Sequence, residues 1–157
     1  MTTKKIQGPN ARDLAKDQMV CAMGERPDNL YYIHSGKLMV FATSGTQVTP
    51  LATIGAGEYF GEMSFFDNAP RSAHVIATEE TSLVRLSIEN LDEQFPSWLF
   101  RVAGSMVKKL RYSSDLIRQK GIRRKNVTSI QPLTIDEQRH YYQILQDYLK
   151  TNGLDQS

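Results

Sequence analysis

At 157 residues, with 40% apolar and 23% charged side chains, the chain has the size and composition of one globular domain. A net charge of +2 is too small to imply a polyanionic partner by itself, and a single cysteine, Cys21, excludes an internal disulfide. No run approaches the roughly 18 apolar residues of a membrane span, and Met1-Thr2-Thr3-Lys4-Lys5 leads into no signal-peptide core, so a cytoplasmic location is expected.

Residues 1–13 are polar, with Gly8 and Pro9, and read as an N-terminal arm carrying a short helix over 11–15. From Met19 to Leu86 the chain reads as short β segments, among them 30–33, 37–43, 47–54, 73–77 and 82–86. Turn residues cut them at Gly24-Glu25-Arg26-Pro27-Asp28, Ser35-Gly36, Ser44-Gly45-Thr46 and Asp67-Asn68-Ala69-Pro70. Many short strands at even spacing predict a β-sandwich, jelly roll or barrel.

The period changes after Leu86. Ser87 can cap a short helix over 88–95, and Pro96-Ser97 restarts the chain. A long helix is predicted over 98–120, stopped by Gly121. Its seam is Leu99, Ala103, Met106, Leu110, Ser113 and Ile117, a spacing of four and three suited to packing on another helix. Ser113 interrupts that seam. A basic connector with Arg123, Arg124 and Lys125 follows, to Pro132. Thr134-Ile135-Asp136-Glu137 has the form of a capping box opening a last helix, which carries Tyr141, Leu145, Tyr148 and Leu149 and ends before Gly153. The expected units are the arm 1–13, a domain 14–121 that includes the long helix, and a connector with helical tail 122–157.

The run with most chemistry is Phe60-Gly61-Glu62-Met63-Ser64-Phe65-Phe66-Asp67-Asn68-Ala69-Pro70-Arg71-Ser72-Ala73-His74-Val75. Glycine lets backbone approach a ligand. Arginine offers a planar fork of donors that matches phosphate oxygens. A carboxylate can accept from sugar hydroxyls, and a short helical turn would aim N–H groups at an anion. Taken singly, Glu62 and Arg71 are an ordinary acid and base on a loop. The combination suits a small phosphorylated ribose.

The run resembles the phosphate-binding cassette of the cyclic-nucleotide-binding family, of the catabolite activator and kinase regulatory-subunit type. The family pattern, roughly F-G-E-[LMI]-[AS], then P-R-[ST]-A-x-V, is matched at Phe60, Gly61, Glu62, Met63, Ser64, Pro70, Arg71, Ser72, Ala73 and Val75. The lead-in from Leu51 to Glu58 and the stretch from Asp28 to Lys37, similar to a strand–glycine–strand hairpin, extend the likeness over about residues 14–118. The resemblance implies a mainly β jelly roll with C-terminal helices, including a long helix for dimerisation and for closing over the ligand. It implies that Arg71 binds the exocyclic phosphate oxygens, Glu62 the ribose 2′-hydroxyl and Ser72 the phosphate. Gly61, Ser64 and Ala73 would offer backbone contacts, and Met63 belongs to the implied ligand-binding set. In activator-type members a Thr-Ser pair on the dimer helix touches the adenine amino group, one residue from each subunit. Ser113 and Ser114 take those places, although adjacent hydroxyls on a helix are ordinarily solvent-facing. The implied ligand is cAMP, with cGMP less favoured because hydroxyls do not strictly exclude guanine. His74 departs from the family's Thr or Ser. It reads as a packed ring, against the alternative of a pH-sensitive contact near the phosphate.

The basic run Arg118, Lys120, Arg123, Arg124 and Lys125 is most simply a solvated face. After Gly121 one good helix remains, whereas a winged helix-turn-helix needs three helices and a hairpin, so sequence-specific DNA binding is disfavoured. His34, His74 and His140 form no H-x-H pattern, and no G-x-S-x-G, H-E-x-x-H or P-loop occurs, so catalysis is not expected. The expected function is a cyclic nucleotide sensor acting on a partner or an attached domain. The alternative is a jelly-roll dimerisation module that uses no nucleotide.

Overall fold

The computed structural model describes residues 9–27, 29–87, 96–120 and 131–154, and within the long helix the side chains of 97–113 and 115. The expected helix over 88–95, the connector residues 121–130 and the side chains of Ser114, Ile117, Arg118 and Lys120 lie outside that description. The described elements are β1 (Ala11–Leu14), β2 (Met19–Cys21), β3 (Asn29–Ser35), β4 (Lys37–Ser44), β5 (Gln47–Gly55), β6 (Tyr59–Phe60), α1 (Glu62–Asp67), β7 (His74–Ala77), β8 (Thr81–Ser87), α2 (Ser97–Lys120) and α3 (Ile135–Thr151).

The strands form two antiparallel four-stranded sheets, β1-β8-β3-β6 and β2-β7-β4-β5, in a jelly roll. Successive strand residues face opposite ways, and this alternation sorts the apolar residues into two layers. Tyr31 and Ile33 of β3, Leu38 of β4, Val75 and Ala77 of β7 and Leu83 of β8 meet between the sheets, with Leu14, Val20, Cys21 and Phe60. Met39, Phe41 and Ile76 face the other way, and with Met19, Ala22 and Val48 they pack against Leu145 of α3.

The final helix therefore covers its own domain. Thr134 Oγ1 accepts from Glu137 N while the Glu137 carboxylate accepts from Thr134 N at 2.7 Å, the expected capping box. Leu145 is 2% exposed in the apolar layer. His140 Nε2 lies 3.0 Å from Asp17 Oδ2, which ties the first turns of α3 to the β1–β2 corner.

Two expectations change. Residues 11–14 are neither arm nor helix: they pair antiparallel with β8, Ala11 opposite Val84 and Leu14 opposite Thr81. The strand–glycine–strand stretch is not a hairpin either. β3 bonds to β6 and β8, β4 bonds to β5 and β7, and Gly36 carries the chain from one sheet to the other. Its φ is 91°, and a side chain there would strike Thr81 and the Glu80 carbonyl. The true hairpin is β4–β5, closing from Ser44 to Gln47 across Gly45-Thr46.

Helix α2 turns one face to α1. Phe100 meets Phe65 and Phe66, Gly104 sits against the Phe66 carbonyl, Val107 is buried, and Arg111 reaches Asp67. The spacing 100, 104, 107, 111 is one helical face. The apolar stripe through Trp98, Val102, Met106 and Leu110 is exposed. Among the described residues no helix is long and apolar enough to cross a membrane.

Candidate functional site

A cavity of about 230 Å³ opens between the cassette and the sheet β2-β7-β4-β5. Its lining includes Gly61, Glu62, Met63, Ser64, Arg71, Ser72 and Ala73, all seven cassette positions singled out from sequence. Val40, Ala52, Ile54 and Tyr59 give the cavity an apolar wall, and Cys21, Phe60 and Val75 complete it. The polar side chains are thus gathered on the cassette, opposite a wall suited to a flat apolar group.

Arg71 is the centre of this arrangement. It is only 7% exposed, yet its guanidinium is bonded to backbone oxygens alone: Nη2 donates to Asn29 O at 2.6 Å and Nη1 to Gly61 O at 3.3 Å. The guanidinium carbon lies 5.8 Å from the centre of the Tyr31 ring, which stacks on Phe60 at 4.8 Å. Among the described residues no carboxylate pairs with Arg71. A buried cation without a counter-charge is costly unless an anion arrives. Gly61 makes the position possible. Its φ is 85°, and a Cβ would run into the Arg71 guanidinium. Gly61 also caps α1, with no side-chain cap hydrogen bond.

Ser64 is 3% exposed, and its Oγ donates to Pro70 O at 3.4 Å. It also accepts from Arg111 Nη2 at 3.2 Å. Arg111 Nη2 donates to Asp67 Oδ1 at 3.1 Å, and its Nε donates to Asp67 Oδ2. Burial opposes the ionised form of Asp67, but bonds from Arg111 and from Ala69 N, with the guanidinium charge, outweigh it and lower its pKa. The cassette and α2 are thereby clamped together. Sequence inspection missed this pair because its members stand 44 positions apart. The only available signal was that Arg111 falls on the helical face of Phe100, Gly104 and Val107.

Cys21 lies at the cavity's base, where burial pushes its thiol up to about 12 despite the Arg71 charge. It is a neutral, inert wall residue. His74 faces away from the cavity. Met23 N donates to its Nδ1 at 3.0 Å, Nε2 lies 3.4 Å from Thr43 Oγ1, and the ring packs on Phe41 at 5.0 Å. Burial depresses its pKa to about 4, so it is the packed neutral ring, not a phosphate contact.

Ser113 is not at the cavity. It is exposed, and its Oγ donates to Lys109 O one turn back, at 3.0 Å. No described residue of α2 lines the cavity, so within one chain the long helix does not cap it. A second cavity of about 180 Å³ is bounded by Asp13, Leu14, Ala15, Ser35, Glu80, Thr81 and Ser82. It contains carboxylates and no basic group, and so offers nothing to hold a phosphate.

The family model for the cyclic nucleotide-binding domain matches residues 11–96, more than half of the chain. The chain belongs to the cyclic nucleotide-binding domain family. The "Cyclic AMP receptor protein" of Thermus thermophilus is 38% identical over 92 residues, covering 56% of this chain and 43% of that protein. The "cAMP-dependent protein kinase regulatory subunit" of Mycosarcoma maydis is 30% identical over 83 residues, covering 53% of this chain and 16% of that one. Among solved structures, the EAL enzyme Bd1971 in its cAMP-bound form superposes with a TM-score of 0.59 at 30% identity, over 71% of this chain and 31% of that chain. The chain spans less than half the length of these relatives. Arg71, Glu62 and Gly61 all lie within the stretch that the family model matches, and all three line the cavity. Helix α3 lies outside the residues the family model matches.

Proposed function

We propose that the chain is a cyclic nucleotide sensor whose preferred ligand is cAMP, acting by regulation and not by catalysis. The observation that carries this reading is the buried Arg71 guanidinium, held to backbone oxygens beside Glu62 in the 230 Å³ cavity, with no carboxylate partner among the described residues. Its donors would take the exocyclic phosphate oxygens, Glu62 would accept from the ribose 2′-hydroxyl, and Ser72 would bond the phosphate. The backbone at Gly61, Met63, Ser64 and Ala73 would line the sugar phosphate. The base would lie along Val40, Ala52, Ile54 and Tyr59. The relatives whose printed names carry cAMP support the choice of ligand.

The exposed stripe Trp98, Val102, Met106 and Leu110 supports a homodimer through α2, which would bring Ser113 and Ser114 to a shared base-binding end. Ligand contact with a closed helix would then shift the population and pass the signal to a partner or an attached domain.

Calorimetric titration of the nucleotide-stripped chain tests this reading. Binding of cAMP tighter than that of cGMP is expected, with at least a roughly thirtyfold loss in Arg71→Ala, since truncating one partner of a desolvated charge pair costs about 2–5 kcal/mol. Unchanged affinity in that variant would overturn the assignment. Sedimentation tests the dimer: Leu110→Glu should yield monomers from a dimeric wild type, and a monomeric wild type with cAMP bound would remove the shared site.

A further inference from the structure

Strand β2 and the entry to β7 separate beside the cavity and then rejoin. Their ladder ends with Cys21 opposite Val75. The two stretches meet again where Gly24 N donates to Arg71 O at 2.9 Å and Arg71 N donates to Glu25 O at 2.9 Å. Between these points lie Ser72 and Ala73 on one side, both lining the cavity, and Ala22 and Met23 on the other.

A side chain spans the gap. Met23 N donates to His74 Nδ1 at 3.0 Å. Chain and hydrogen bonds thus form a closed ring. It runs from Arg71 through Ser72 and Ala73 to His74, across the imidazole to Met23, and through Gly24 N back to the Arg71 carbonyl. The imidazole is itself fixed: it is 4% exposed, packs on the Phe41 ring at 5.0 Å, and sets Nε2 3.4 Å from Thr43 Oγ1. Because Met23 N donates to Nδ1, the neutral ring carries its proton on Nε2, where Thr43 Oγ1 can accept it. A wedged ring therefore anchors Met23, and through Gly24 the backbone of Arg71.

We infer that His74 is a positioning residue for the phosphate end of the cavity: by holding Met23, its Nδ1 sets the backbone of Arg71, Ser72 and Ala73. This rests on the reading of that stretch as phosphate-binding, and adds to it a residue that touches no nucleotide. A site held in its bound geometry before the ligand arrives loses less on ordering, so the hydrogen bond raises affinity without a contact of its own.

The test compares cAMP affinity of wild type, His74→Leu and His74→Gln by calorimetry. The two replacements are similar in size, and of them only Gln offers Met23 N an acceptor. His74→Leu should bind at least about fivefold more weakly, part of the penalty of a buried donor left without a partner, and His74→Gln within about twofold of wild type. Were the ring only packing, Leu would suit the apolar layer better than Gln and the order would reverse. In the wild type at neutral pH, nitrogen NMR spectra of the imidazole should show the proton on Nε2 and an unprotonated Nδ1, a readout that needs no variant to fold. Equal affinity of wild type and His74→Leu, a His74→Gln that binds no better than His74→Leu, or a proton on Nδ1 would each overturn the inference while leaving the site reading standing. A wild type that binds no cyclic nucleotide would overturn both.

Discussion

Arg71 and His74 stand three residues apart on either side of the entry to β7, and the fold treats these two basic groups in opposite ways. Arg71 turns into the cavity, 7% exposed, and keeps its charge because arginine does not deprotonate in proteins. His74 turns to the α3 side, 4% exposed, and loses its charge because imidazole can: burial takes its pKa to about 4. Strand alternation alone sends Val75 and Ala77 inward and His74 and Ile76 outward, so one four-residue strand lines the cavity with Val75 on one face and serves a structural layer on the other. A basic group that cannot lose its proton stays charged on burial, and one that can is neutralised and covered.

The cover is α3, and removing its anchor is the most damaging way to probe the comparison. Leu145 is 2% exposed among Met19, Ala22, Met39, Phe41, Val48 and Ile76. Leu145→Ala should cost about 2–5 kcal/mol by leaving a cavity beneath the helix. A urea titration should show this as a lower midpoint. If α3 detaches before the sheets unfold, the slope should fall as well, because less surface remains to be exposed. A midpoint unchanged from wild type would mean that α3 is not part of the folded layer, and that His74 owes its neutrality to the sheet alone.

The cassette was legible because its chemistry is local. Gly61, Glu62, Pro70, Arg71 and Ser72 lie within twelve consecutive positions, and the turn that joins them brings all but Pro70 to the cavity lining. The capping box of α3 was legible for the same reason, since Thr134 and Glu137 lie one turn apart. What lay hidden depends on distant partners. Ala-Arg-Asp-Leu carries no alternation of its own and becomes β1 only because β8 lies beside it. The expected seam of α2 shares Met106 and Leu110 with the exposed stripe but not Leu99 and Ala103, which are half-buried, and the face with Phe100 and Arg111 needed Asp67 to give it meaning. Gly36 marked a turn without saying that the chain changes sheets there. Ser113 shows the reverse case. A match in layout placed it at the base, whereas in a single chain it bonds back to Lys109.

A pH titration of stability sharpens the comparison on the His74 side. The folded ring has a pKa of about 4, against the ordinary value of 6.5. Above pH 6.5 neither folded nor unfolded chain protonates this ring, and its contribution to stability is fully present. As pH falls from 6.5 towards 4 the unfolded chain takes up a proton that the folded chain refuses, so stability falls. Below pH 4 both states are protonated and the loss is complete. The linkage relation gives a loss of about 2 kcal/mol at pH 5 relative to pH 7.5. Asp67 contributes at lower pH, because its lowered pKa places its loss below the ordinary carboxylate range. In the window from pH 6.5 to 5 the difference between wild type and a His74 variant therefore reads this imidazole. His74→Gln keeps an acceptor for Met23 N and cannot titrate there, so its urea midpoint should fall less than that of wild type across that window. If the variant kept the wild-type slope, the slope would belong to another group, and the neutral His74 on the α3 side would no longer be the counterpart of the charged Arg71 in the cavity.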